Sequence, residues 1–111
     1  MATNGKIVLI GSYLVALVMD VDRIPIKGQT VLARNFREAY GGKGSDMAVQ
    51  AARLGTPVEF VGCIGDDDFG RAFLKLMHEE GVTTDLVQQR SELATGAGFI
   101  IKSSDGYNII T

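Results

Sequence analysis

Apolar positions along the chain follow two different periods. Lys6 to Ile10 is a short β-branched run ended by Gly11-Ser12, the pattern of a buried strand in a parallel sheet. Tyr13 to Val21 is a second apolar stretch, broken by Asp22-Arg23-Ile24-Pro25 and by Lys27-Gly28. Thr30 to Tyr40 mixes Val31, Leu32, Phe36 and Tyr40 with Arg34, Arg37 and Glu38, a composition suited to a strand with one wet face. From Ser45 to Leu54 the period becomes helical. Met47, Ala51 and Leu54 form a stripe with Ala48 and Ala52 beside it, and Gly55 followed by Pro57 is a stop signal.

Val58 to Ile64 carries apolar residues on both alternation sets and is predicted as a buried strand, with Cys63 as a small apolar filler. Gly65 to Gly70 is a loop leading into a second helix that runs to about Glu80, with Phe69, Ala72, Phe73, Leu76 and Met77 on its inner stripe. Its aspartates suit the positive end of the helix dipole, and Gly81 ends it. A short strand is expected within Val82 to Gln88. Thr95 to Lys102 and Tyr107 to Thr111 read as a hairpin around Ser103-Ser104-Asp105-Gly106, because Asp-Gly favours tight turns. The βα alternation predicts an α/β fold with a parallel sheet and right-handed crossovers, and the interrupting strand pairs predict a small second sheet.

Composition narrows the function. The chain has 111 residues, a size that suits one domain with its own core, and a net charge of −2 with no Lys/Arg stripe, which argues against nucleic-acid binding. One cysteine supports neither a disulfide framework nor a cysteine-based zinc site and fits a reducing cytoplasm. The apolar run Ile7–Met19 after Lys6 has some character of a signal peptide, but Gly11-Ser12 interrupts it and no small-x-small cleavage site follows. It is also too short to cross a bilayer, so no membrane partner is expected. Glycine, at 14 residues, is the informative excess.

Four of the residues that matter most are Gly41-Gly42-Lys43-Gly44, which open the first helix directly. Glycines let backbone N–H groups approach a ligand where a Cβ would clash, and the helix end adds free donors and positive potential. Lys43 adds a mobile charge. Such a loop suits phosphates, carboxylates or sugar hydroxyls. The bland alternative is a tight strand-to-helix turn with a solvated lysine. The loop is not a Walker A motif, because Gly44 follows Lys43, and not a dinucleotide fingerprint, because Met47 occupies its last Gly/Ala position.

The stretch from Gly41-Gly42-Lys43-Gly44-Ser45-Asp46 through Ala48 to Gly55, followed by Val61-Gly62-Cys63-Ile64-Gly65-Asp66-Asp67-Asp68-Phe69-Gly70, resembles the ribokinase-like (PfkB) carbohydrate kinase family. Gly11-Ser12, Pro25 with Gly28-Gln29-Thr30, and Thr95-Gly96 are similar to it too, so the likeness extends from about Lys6 to Thr111. It implies one N-terminal ribokinase-like segment over 1–111. That segment is part of a Rossmann-type parallel sheet with helices (about 5–12 and 41–88) plus a small β-sheet lid (about 13–40 and 95–111). The implied activity is ATP-dependent phosphoryl transfer to a sugar or nucleoside hydroxyl, with Mg²⁺ and often a monovalent cation. Gly41, Gly42, Lys43, Gly44 and Asp46 would bind the substrate, and lids of two subunits would clasp into a homo-oligomer.

Three departures qualify these expectations. The family's signature Asn falls on Asp46, which has no amide donor and doubles as a helix-start carboxylate. The polar sugar anchors expected after Gly11-Ser12 appear as Leu14 and Ala16, and an unpaired desolvated hydroxyl costs about 1–3 kcal/mol. The family's ATP site, Gly-Ala-Gly-Asp anion hole and catalytic Asp have no counterpart among these 111 residues. No catalytic residue or metal ligand is therefore assigned, neither ATP nor Mg²⁺ is expected to bind this chain strongly, and no turnover is expected from it alone. The alternative is a non-catalytic module that binds sugar, self-associates, or docks on a separate C-terminal half. Asp66, Asp67 and Asp68 are read as helix-capping residues and His78 as a solvated side chain on the polar face of the second helix.

Overall fold

The computed structural model describes residues 5–111 and contains two sheets. Strand β1 (Ile7–Ile10), β4 (Val58–Gly65) and β5 (Thr83–Arg90) form a parallel sheet in the order β1-β4-β5. Strand β2 (Leu14–Val21), β3 (Arg34–Gly41), β6 (Ala97–Ser103) and β7 (Asn108–Ile110) form a mixed sheet in the order β3-β2-β6-β7, parallel only between β2 and β6. The expected α/β layer with a second sheet is thus present. The Cα radius of gyration is 16.8 Å, against about 13 Å for a compact chain of this length, because the molecule is flat at 56 × 37 × 19 Å.

Helices α1 (Lys43–Arg53) and α2 (Asp68–Glu79) cover one face of the parallel sheet. Phe60 and Val58 of β4 meet Ala48 of α1 and Phe73 and Met77 of α2, all essentially buried. Phe60 packs edge-on to Phe73 with ring centroids 5.3 Å apart. Truncating Phe73 to alanine would open a cavity here, a change that costs about 3–5 kcal/mol in such cores.

Among the described residues no helix covers the opposite sheet face, which corrects two expectations. Val8 and Ile10 of β1 lie on that face and are 51% and 81% exposed rather than buried, and Ile7, at the start of the strand on the covered side, is 42% exposed. Cys63 alternates with Phe60 and Ile64, so it lies on that open face and is exposed, not a core filler. A parallel strand reads as apolar on both faces, but it is buried only when both are covered.

The inner stripe of α1 also differs. Gly44, Ser45 and Ala48 face the core, whereas Met47 and Leu54 are 57% and 75% exposed. The cause is close backbone packing: a Cβ on Gly44 would sit 2.8 Å from the Gly11 Cα, so the helix turns its smallest side toward the connection between β1 and β2. Strand β3 begins at Arg34 instead of Thr30, just before Asn35, which adopts φ 56 and sits opposite a register shift in β2. The apolar run Ile7–Met19 resolves into strands of two different sheets. No helix of the described residues is long and apolar enough to cross a membrane.

Candidate substrate site at the junction of the two sheets

The chain passes between the sheets at Gly11–Tyr13 and again at Gly41–Gly44, and these two crossings touch. Gly42 has φ 96, and a Cβ there would lie 2.5 Å from the Ser12 carbonyl oxygen and 3.0 Å from the Tyr13 Cα. Gly44 and Gly11 are similarly tight against each other. The glycines therefore have a packing reason that applies whether or not a ligand binds.

The same crossing leaves donors at the start of α1. Its first backbone bond runs from Asp46 N–H to the Gly42 carbonyl at 3.0 Å, and no side chain caps the helix. The N–H groups of Lys43, Gly44 and Ser45 precede the hydrogen-bond ladder and create positive potential. Ser45, which the motif reading passed over, braces the loop: its hydroxyl lies 2.6 Å from the Gly41 oxygen and 2.9 Å from that of Gly42. A serine just inside a glycine-rich helix start is the signal that points to it.

Gly41 and Gly42 are half-buried, Gly44 is buried, and Lys43 and Asp46 are exposed. Asp46 lines a cavity of about 290 Å³ together with Tyr40, Ser45, Val49, Gln50 and Arg53. Register puts Leu14 opposite Gly41 and Ala16 opposite Gly98. Opposed residues share a face, so Leu14, Ala16, Gly41 and Gly98 form one face of the second sheet. The Leu14 side chain spreads over the space that Cβ atoms on Gly41 and Gly98 would fill. That face beside the loop is apolar.

The three aspartates before α2 have structural partners. Asp67 caps the helix by accepting the Gly70 N–H at 2.8 Å, and it also accepts the Thr95 hydroxyl at 2.6 Å and the Thr95 N–H at 2.8 Å. The Thr95 hydroxyl bond, then the backbone donors, hold the Asp67 carboxyl below the usual carboxylate range. Arg71 bridges Asp66 and Asp68. His78 is exposed at the C-terminal end of α2, as expected.

Comparison with known proteins agrees with this architecture. The pfkB family carbohydrate kinase model matches residues 4–111. Ribokinase of Mus musculus is 36% identical over 106 residues, which is 96% of this chain and 33% of that protein. The structure of ribokinase from Giardia lamblia superposes with a TM-score of 0.89 at 37% identity, covering 98% of this chain and 33% of that one. The structure of Arabidopsis thaliana ribokinase complexed with ribose and ATP gives 0.85 at 30% identity, covering 96% of this chain and 35% of that one. The chain spans about a third of the length of the curated relatives it matches. With the family model matched over residues 4–111 and a solved ribokinase superposing over 98% of this chain, the chain belongs to the pfkB family of carbohydrate kinases.

Proposed function

We propose that this chain is the substrate-side and lid portion of a ribokinase-type sugar kinase, an enzyme that moves the γ-phosphoryl group of ATP to a sugar hydroxyl. The carrying observation is the uncapped start of α1 at the junction of the two sheets, with Lys43 exposed beside it. In this reading Gly41, Gly42, Lys43, Gly44 and Asp46 bind the substrate. Backbone N–H groups donate to its oxygens, Lys43 supplies a mobile charge, and Asp46 accepts from a hydroxyl. The strands of the second sheet act as the lid, and residues 1–111 form one ribokinase-like unit working in the cytoplasm.

Leu14 and Ala16 shape the substrate preference. A sugar edge rich in hydroxyls would lose water against them without gaining partners. The favoured substrate therefore presents an apolar or hydroxyl-poor edge to that face, or sugar binding is weak.

The described residues do not fit Mg²⁺. Asp67 spends its oxygens on Gly70 and Thr95, and Asp66 and Asp68 are tied to Arg71. No other acidic or His/Cys cluster among the described residues could hold an ion. Phosphoryl transfer depends on positioning and charge neutralisation around the transferred group. We assign the ATP and Mg²⁺ sites to polypeptide matching the other two-thirds of the relatives, and we expect the 111 residues alone to be inactive. Apolar side chains on both lid faces, including Phe99, Ile109 and Ile110, support self-association through the lid.

An ATP-dependent phosphorylation assay over pentoses, hexoses and nucleosides tests this reading. The chain alone should be blank, and adding the complementary C-terminal polypeptide should restore turnover, which Lys43→Ala should then reduce. Turnover by the chain alone would overturn the inactivity, and wild-type turnover by the reconstituted Lys43→Ala protein would overturn the site. Sedimentation of a strict monomer at high concentration would remove the lid contact.

A further inference from the structure

The second sheet has another face, and it holds a different kind of cavity. Val15, Glu38 and Tyr40 alternate with Leu14, Ala39 and Gly41, so they point away from the junction face. There they meet Phe69 and Ala72 of α2 around a cavity of about 180 Å³, whose wall includes Tyr13. A wider cleft of about 670 Å³ adjoins it and shares Glu38, Phe69 and Ala72.

Its lining has an unusual polarity. The rings of Tyr13, Tyr40 and Phe69 supply aromatic surface, and Glu38 is a carboxylate with no ion-pair or hydrogen-bond partner among the described residues. Nearby cations are engaged elsewhere: Arg71 with Asp66 and Asp68, and Arg37 with Asp20 on the opposite face. Tyr13 is only 5% exposed and stacks on Phe73 at 4.5 Å. Its hydroxyl makes no hydrogen bond to a described residue, yet no fully enclosed side-chain polar atom among them lacks a partner. The hydroxyl oxygen is therefore not sealed, and Tyr13 is part of the cavity wall. Burial, then the neighbouring Tyr40, Glu38 and Asp67, pushes the Tyr13 phenol up to about 12. It stays neutral and can accept or donate a hydrogen bond at any physiological pH.

We propose that this cavity binds a small organic ammonium ion, a protonated primary amine with a short apolar body. Aromatic faces attract the cation, Glu38 balances its charge, and the Tyr13 hydroxyl accepts one of its N–H bonds. The apolar body lies against Val15 and Ala72. An anion would face an unpaired carboxylate, and a neutral polyol would find too few hydrogen-bond partners. A hydrated metal ion would meet one carboxylate, too few ligands to replace its water. The walls come from both the lid and α2, so an occupant would hold the lid at one angle to the parallel sheet. This cavity shares Tyr40 with the one beside Asp46, faces away from Leu14 and Ala16, and does not depend on the kinase reading.

Titration calorimetry of the 111-residue chain with n-butylammonium chloride tests it, with n-butanol as the neutral isostere and potassium chloride as the salt control. The expected result is saturable one-site binding of the ammonium, with n-butanol at least tenfold weaker and no heat of binding from potassium. Glu38→Gln, at an exposed position, should weaken the ammonium at least tenfold with an unchanged thermal melt. Tyr13→Phe should weaken n-butylammonium several-fold while leaving tetramethylammonium, which has no N–H, unaffected. Equal binding of n-butanol, an unchanged affinity in Glu38→Gln, or no saturation by the ammonium would each overturn the proposal.

Discussion

Asp67 and Thr95 stand 28 residues apart, and a single carboxylate joins them twice, through the Thr95 hydroxyl at 2.6 Å and its N–H at 2.8 Å. The same hydroxyl accepts the Gly65 N–H at 2.9 Å, and the same carboxylate caps α2 at Gly70. The end of β4, the start of α2 and the approach to β6 of the second sheet are therefore one hydrogen-bonded knot. Gly65 and Gly70 leave the room for it, since a Cβ on Gly65 would lie 2.5 Å from Thr95 N and one on Gly70 would collide with the Gly65 carbonyl.

Removing the Thr95 hydroxyl with Thr95→Val strands the Gly65 N–H and takes one of two donors from Asp67 Oδ1, which keeps the Gly70 N–H. It should cost about 1–3 kcal/mol by urea unfolding. Asp67→Asn should cost a similar amount, and the double variant should lose less than the sum, with a coupling of about 0.5–3 kcal/mol. Strict additivity would mean that the two residues do not act as a unit.

The same carboxylate predicts an acid limb. Because folding lowers the Asp67 pKa, its contribution is fully present above the ordinary carboxylate value near 3.9 and is lost as pH falls through the lowered folded value. Stability measured from pH 6 down to pH 2 should fall less steeply in Asp67→Asn than in the wild type.

Tyr13 predicts the opposite limb. Its folded pKa of about 12 exceeds the ordinary phenol value of 10.0, so its contribution holds below pH 10 and disappears as pH rises toward 12. Absorbance at 295 nm should show a tyrosine ionisation step near pH 12, and Tyr13→Phe should remove that step.

Glycine and lysine roles in the junction loop can be separated. Gly44→Ala forces a Cβ into the Gly11 backbone and should destabilise by about 1–3 kcal/mol, as overpacking does. Lys43→Ala changes an exposed side chain, so its melt should shift by no more than about 0.5 kcal/mol. Any loss of sugar binding in Lys43→Ala then belongs to the site and not to folding.

The proposed sugar site puts Leu14 where a substitution should change substrate preference. Leu14→Asn supplies a donor and an acceptor beside Gly41, and ribose affinity should rise about tenfold, equivalent to about 1.4 kcal/mol. Isothermal titration with ribose and 2-deoxyribose measures it. An unchanged or lower ribose affinity would show that this face does not meet the sugar.

Local periodicity and glycine placement were enough to read the α/β layer, both helices, the hairpin near the C-terminal end and the loop at Gly41–Gly44, because each is dictated by neighbours a few residues away. The stop at Gly55, for instance, needs only its own left-handed φ of 90. Burial and partnership were decided by tertiary contacts. Ile10 and Cys63 have the composition of core residues, yet only one sheet face acquires helices, so both remain exposed. Close packing of Gly44 on Gly11 rotates α1 and turns Met47 outward. The Asp67–Thr95 knot and the cavity beside Tyr13 join residues that no local pattern links. Their energies come from chain segments brought together only once both sheets have formed.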